Sequence, residues 1–170
     1  GIDSPHPPKN MDYLLTIVKP DISVVLNVYP VHTMQFDELF QQDLSSEKRL
    51  EYIINRITKE KVKIITKAKP AVGIFNENLA SSNLRGCIGT KLISFGNGED
   101  ADIKYLDYQV TLKTTSFKFL LKEENREIEI NIKDFVLPKG YQEVFGAAIA
   151  VGKSLGMTDY PNYKVILIDN

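Results

Sequence analysis

The chain contains no tryptophan, a single cysteine (Cys87) and only two histidines, His6 and His32, among its 170 residues. One cysteine excludes an internal disulfide, which fits a reducing compartment. An excess of one charge is missing as well. There are 21 Lys+Arg against 22 Asp+Glu, a net charge of -1, so no global positive field points to nucleic acid or an acidic membrane. No apolar run approaches the ~20 residues of a membrane helix, and no charged segment followed by an apolar one opens the chain. What is present is globular in kind. Hydrophobic residues are 43% and charged residues 25%, enough apolar surface to oppose wholesale disorder. The length suits one domain, or one and a fraction. These features predict a globular, cytoplasmic protein.

Pro5, Pro7 and Pro8 forbid a helix interior at the start of the chain. Residues 11–18 (MDYLLTIV) suit a short helix or a strand, ended by Lys19-Pro20 because the residue before proline leaves the helical region. Residues 22–28 (ISVVLNV) read as a buried strand. Ser45 or Ser46 can cap a helix whose Leu50, Ile53, Ile54 and Ile57 form one apolar stripe. The basic stretch 59–69 (KEKVKIITKAK) reads as the end of that helix followed by a strand. Residues 71–75 and 91–95 are further strands, and 96–100 (GNGED) is a turn.

Beyond residue 102 the texture changes. Residues 103–110, 116–121 and 127–132 read as antiparallel strands, with a hairpin turn over 122–126. In the last strand Ile128, Ile130 and Ile132 alternate with Glu127, Glu129 and Asn131, which predicts one wet face. A helix rich in small residues follows over about 143–155, capped by Gly156, and 164–169 (KVILID) is a final strand. The pattern predicts an α/β fold: a mostly parallel sheet flanked by helices, with a small antiparallel insert. The opening in a loop and the close on a strand read as a fragment cut at both ends.

Two residues carry chemistry by position. His32 follows the strand 22–28 by four residues, and loops at the carboxyl ends of parallel strands are where open α/β sheets bind ligands. A histidine there can ligate a metal or transfer a proton, although a plain surface histidine fits the position too. Cys87 has no histidine near it in sequence, so a structural thiol is the simpler reading.

Residues 19–32 (KPDISVVLNVYPVH) resemble a segment of the Mur ligase family, the ATP-dependent amide ligases of peptidoglycan precursor synthesis. Further similarities follow in family order: Glu47-Lys48 with Leu50, the strand 71–76 (AVGIFN), 92–96 (LISFG), Ala101-Asp102-Ile103, Thr115-Ser116-Phe117, the helix 145–157, and 166–170 (ILIDN). The T-S-F element and the I-D-N ending lean toward the MurF-like branch, which adds D-alanyl-D-alanine. A short motif of the AMME-syndrome candidate family resembles 84–90 (LRGCIGT), but its flanks follow the ligase order.

The resemblance implies that ATP phosphorylates a substrate carboxylate and that an amine attacks the acyl phosphate. It implies His32 as a ligand of Mg2+, Lys48 as the lysine that becomes carbamylated, with adjacent Arg49 leaving the register open, and Asn76 as the adenine contact. It implies a nucleotide-linked muramyl peptide and an amino acid or dipeptide as substrates. Residues 1–160 would be the later part of the central ATP-binding domain, and 161–170 the first strand of the next.

The departures are specific. No G-x-x-x-x-G-K-S/T loop occurs anywhere. The N-x-D-D motif reads Asn76-Glu77-Asn78-Leu79 and loses both aspartates. The histidine expected after Gly140 is missing, and so is the P-G-R turn expected between Met157 and Lys164. Catalysis by the isolated chain is therefore not expected. A folylpolyglutamate synthase-like ligase, or a non-catalytic binding or scaffold module on the same fold, are the alternatives.

Overall fold

The computed structural model describes residues 6–29, 45–79, 84, 87–157 and 164–165. The chain forms two compact units, Gly1–Gly73 with Leu79–Lys91, and Ile74–Asn78 with Leu92–Asn170.

In the first unit, Asn10 caps α1 (Met11–Ile17), its side-chain oxygen accepting from the Tyr13 N–H at 3.0 Å. Val18 already has extended geometry, two residues before Pro20, so the 11–18 segment resolves as a helix. β1 (Ile22–Val25) is shorter than the predicted strand 22–28. Beyond it the Asn27 carbonyl accepts from Lys61 Nζ at 3.1 Å rather than joining a ladder.

α2 (Ser46–Lys61) starts where Ser45 and Ser46 placed it, but Ser45 makes no side-chain cap bond. Of the predicted stripe, Ile53 and Ile57 are buried with Val28 packed on them. Ile54 is half-buried and Leu50 is exposed. The strand expected after α2 is absent. Val62 keeps helical geometry and α3 (Lys63–Thr66) follows at once, with Ile65 completely buried. Ser23 Oγ donates to the Ile64 carbonyl at 2.9 Å and fastens β1 to α3.

Charge, not apolar burial alone, holds α1 in place. Glu60 is buried on α2 and accepts from the Met11 N–H at 2.8 Å and from Lys63 Nζ at 2.5 Å. Lys63 also donates to Asp12 at 2.7 Å, and Lys67 donates to Asp12 at 2.5 Å. Lys63, followed by Lys67, holds the Asp12 carboxyl below its ordinary value, against a smaller opposing effect of burial. Burial works against the Lys63 ammonium, but Asp12 and Glu60 outweigh it and raise its pKa.

A depressed carboxyl stabilises the fold above its unfolded-state pKa, and that contribution disappears as pH falls through the folded value. A raised ammonium stabilises below its ordinary pKa and loses its effect only as pH climbs past the folded value. The anchor is thus complete around neutrality and weakens in acid. NMR titration of α1 should show a step below the ordinary carboxylate range that Asp12→Asn abolishes. Asp12 is partly exposed, so the step is worth no more than about 1 kcal/mol. An identical step in the variant would remove Asp12 from the anchor.

The second unit is built on a mixed sheet. β2 (Val72–Asn76), β3 (Lys91–Gly96), β4 (Ile103–Val110), β5 (Thr114–Leu121), β6 (Arg126–Lys133) and β7 (Lys164–Val165) lie side by side in chain order. β3 and β4 are parallel, with Phe95 opposite Ile103. β4, β5 and β6 form the antiparallel insert, with a bulge between Tyr105 and Asp107. β7 runs parallel to β6 and places Lys164 opposite Asn131.

The predicted alternation holds: Ile128, Ile130 and Ile132 are buried and Glu127 and Asn131 are exposed. Glu129 turns outward to Ser116 Oγ at 3.1 Å and to Lys118 at 3.7 Å, as a solvated face should. Buried Thr115 donates to the Phe135 carbonyl and accepts from the Leu137 N–H, at 3.0 and 2.9 Å. It thereby pins the segment that leads into α4 (Tyr141–Ser154). The T-S-F element thus has a structural role in this chain. α4 rests on the sheet through Gly146, where an added Cβ would lie 2.9 Å from the Tyr105 ring and 3.3 Å from Phe95. The predicted class is the observed one, an α/β fold with a mixed sheet and flanking helices.

Candidate functional site

The carboxyl ends of β2 and β3 meet at one rim of the second unit. Asn76 is the last residue of β2 and is 1% exposed. Its side-chain oxygen accepts from the Asn78 N–H at 3.0 Å, which bends the chain sharply after the strand. The Glu77 N–H donates to the Phe95 carbonyl of β3 at 2.9 Å, so the first residue past β2 is still tied to its neighbour.

β3 ends at Gly96 with φ +157, a geometry that disfavours side chains, and two residues later Gly98 lies directly beneath the Glu77 carboxyl group. A Cβ at Gly98 would fall 2.0 Å from Glu77 Oε2. That oxygen is buried and, among the described residues, has no hydrogen-bond partner.

The rim is braced from behind. Asp102 Oδ2 accepts from the Ser94 N–H and hydroxyl at 2.7 and 2.9 Å, and the Asp102 N–H returns a bond to Ser94 Oγ at 3.0 Å. This closed set fixes the turn between β3 and β4 and accounts for the A-D-I element. Beside it, Lys104 hydrogen-bonds Glu99 at 2.6 Å and lowers the pKa of that carboxyl, first through the bond and then through its charge.

His32 lies outside the described residues. Lys48 is exposed in the first turn of α2, in the first unit. Asn76 belongs to the second unit. Cys87 is a half-buried free thiol whose N–H donates to the Leu84 carbonyl at 3.3 Å, which fits a structural cysteine.

Among the described residues no group of three or more His, Cys, Asp or Glu side chains could hold a metal ion. A cavity of about 470 Å³ opens in the first unit, lined by Met11, Leu14, Val18, Val24, Val25 and Ile64. It is apolar and contains neither Lys48 nor Asn76. No helix among the described residues is long and apolar enough to cross a membrane.

No family model and no curated protein matches the sequence. Solved structures do match. The chain superposes on a MurF ligase from Thermotoga maritima in complex with ADP with a TM-score of 0.65 and 18% identity, covering 91% of this chain and 32% of that one. A MurF from Acinetobacter baumannii gives 0.57 and 18%, covering 83% and 28%.

The fold is that of the Mur ligases.

At this identity the fold is what is shared. The chain spans about a third or less of the length of these ligases. Asn76, expected where a strand ends, stands at the end of β2 on this rim. Glu77 is the residue that sequence reading passed over. It occupied the unspecified position of N-x-D-D, and only the close approach of Gly98 shows that its carboxyl is enclosed. The G-N-G spacing of residues 96–98 was the signal available, and it read as a turn.

Proposed function

We propose that this chain forms the nucleoside-facing part of the ATP-binding domain of a MurF-like, ATP-dependent amide ligase of peptidoglycan precursor synthesis. The observation that carries the reading is Asn76. It is buried at the carboxyl end of β2, its amide beside a braced turn, in a fold shared with a ligase solved with ADP. A side-chain amide presents a donor and an acceptor together and suits the edge of an adenine.

On this reading ATP converts a carboxylate of a nucleotide-linked muramyl peptide into an acyl phosphate, and the amine of an amino acid or of a dipeptide such as D-alanyl-D-alanine displaces phosphate. Phosphoryl transfer of this kind needs positioning and charge neutralisation. Residues 1–160 are then the later portion of the ATP-binding domain, and 161–170 open the domain that follows. His32 is assigned to Mg2+ and Lys48 to carbamylation. The enzyme works in the cytoplasm, where its nucleotide substrates are.

The phosphate-cradling loop is not among these 170 residues, so the chain alone is expected to bind nucleosides weakly and to hydrolyse nothing. The same absence, with the lost aspartates, favours a second reading: a scaffold that keeps the fold without the site. Calorimetric titration with ADP separates the two. A version extended upstream to include a G-K-S/T loop should bind ADP with Mg2+, and Asn76→Ala should weaken that binding by about tenfold through loss of base contacts. No ADP binding by the extended protein would establish the scaffold reading.

A further inference from the structure

The free end of the antiparallel insert carries apolar side chains that the core does not use. A tight turn joins β4 to β5, closed by the Thr111 N–H donating to the Thr114 carbonyl at 2.8 Å. Thr111 Oγ1 accepts from the N–H groups of Lys113 and Thr114 at 3.2 and 3.0 Å. The turn is held by its own bonds, and it presents Leu112 to solvent, 97% exposed.

A second segment lies against this turn. Asp134, with φ +60, ends β6, and its N–H donates to the Lys113 carbonyl at 2.6 Å. Thr115 then holds the Phe135 carbonyl and the Leu137 N–H. These bonds keep Phe135 and Val136 beside the turn, and both side chains are exposed, as is Val110. Beneath them Thr115, Phe117 and Ile132 are buried. Four exposed apolar side chains thus stand together at the end of a packed hairpin. Single exposed apolar residues need no explanation, but a cluster at one tip marks an interaction surface.

The charges around the tip are mostly of one sign. Lys113 is in the turn, Lys133 stands opposite Thr114 in the ladder, and Lys139 ends the connection to α4. All three are exposed. Over residues 110–115 and 133–139 the one carboxylate is Asp134. The next along β4, Asp107, is engaged by the Tyr108 N–H and by Gln109 Nε2, each at 2.8 Å.

We infer that this tip docks the protein on an anionic lipid surface. Leu112 enters the boundary between headgroups and acyl chains, Val110, Phe135 and Val136 follow it, and the lysines meet the lipid phosphates. A lipid interface yields around a convex apolar tip, whereas a protein partner would have to supply a matching hollow. Apolar insertion and attraction to anionic lipid add to each other, and this tip combines the two. The chain's net charge of -1 does not oppose the contact. Screening limits the interaction to charges within about 8 Å of the surface at physiological salt, which are those of the tip.

Co-sedimentation with vesicles tests this on the whole chain. It should bind vesicles of equimolar phosphatidylglycerol and phosphatidylcholine, bind vesicles of phosphatidylcholine alone far less, and lose affinity as salt rises. Leu112→Asp should weaken binding by at least about tenfold. Lys113→Gln and Lys133→Gln should each weaken it by about fivefold. These side chains are exposed, so the urea midpoints should stay at the wild-type value. Ile17→Asp, which removes an exposed apolar side chain from α1, should leave vesicle binding unchanged. Equal binding to both kinds of vesicle, or an equal loss in Ile17→Asp, would overturn the assignment to this tip. Absence of binding to the anionic vesicles would overturn the lipid partner and turn the patch over to a protein surface.

Discussion

Phe117→Ala is expected to destabilise the second unit by about 3–5 kcal/mol, the range for deleting a fully buried aromatic ring from a packed core. Phe117 has no exposed surface. Its ring meets Tyr108 at a centroid distance of 5.3 Å and Phe145 at 5.1 Å. It therefore joins three elements: β5, which carries it, β4 through Tyr108, and α4 through Phe145. None of the three can collapse into the gap easily. β4 and β5 are tied by their ladder, and α4 is already in close contact with the sheet at Gly146. The cavity term should therefore sit near the top of its range. Urea unfolding followed by tyrosine fluorescence reads the loss directly, since the chain has no tryptophan and Tyr108 touches the substituted ring. A loss below about 1 kcal/mol would mean that the aromatic cluster does not bind α4 to the insert.

Enlarging Gly146 should be the next most damaging change, and its size dependence is informative. Two effects oppose each other in Gly146→Ala. Alanine favours a helix interior over glycine by about 1 kcal/mol. The new methyl, however, would lie 2.9 Å from the Tyr105 ring and 3.3 Å from Phe95. Both are buried, and Tyr105 packs edge-on against Phe119 at 5.7 Å, so the ring has little room to retreat. Overpacking costs about 1–3 kcal/mol. The net effect of alanine is a loss of about 1 kcal/mol, and Gly146→Leu should exceed 3 kcal/mol because helix propensity gains nothing further while the clash grows. Chemical denaturation of the two variants measures the series. Stabilisation by alanine would show that α4 lies farther from the sheet than its glycine suggests.

Much of this molecule was legible without coordinates where local patterns suffice. The alternation of β6, the small-residue helix α4, the turn over residues 122–126 and the starting point of α2 all follow from period and turn chemistry, which act within a few residues. The errors lay where distant partners decide. The stretch after α2 is rich in β-branched residues and reads as a strand. It continues as α3 because Lys63 and Lys67 reach Asp12, and Ser23 reaches Ile64. β1 stops at Val25 because a lysine from α2 takes the Asn27 carbonyl. Leu50 fits the apolar stripe of α2 yet stays 42% exposed, because period alone does not say how far along a helix its neighbours extend.

The candidate site divides in the same way. Asn76 stands out in sequence because it ends an apolar run inside a recognisable motif, and the structure buries it at the end of β2. Lys48 also stands out, but its exposure on α2 could not be read from a helical pattern that places Glu47, Lys48 and Arg49 in one turn. Order along the chain determined the α/β class, the antiparallel insert and the place of Asn76 at the end of a strand, because these depend on spacing and side-chain type. Tertiary structure alone decided that the Glu77 carboxyl rests on Gly98 and that α4 approaches the sheet through Gly146, because both are close contacts between segments brought together only when the chain folds.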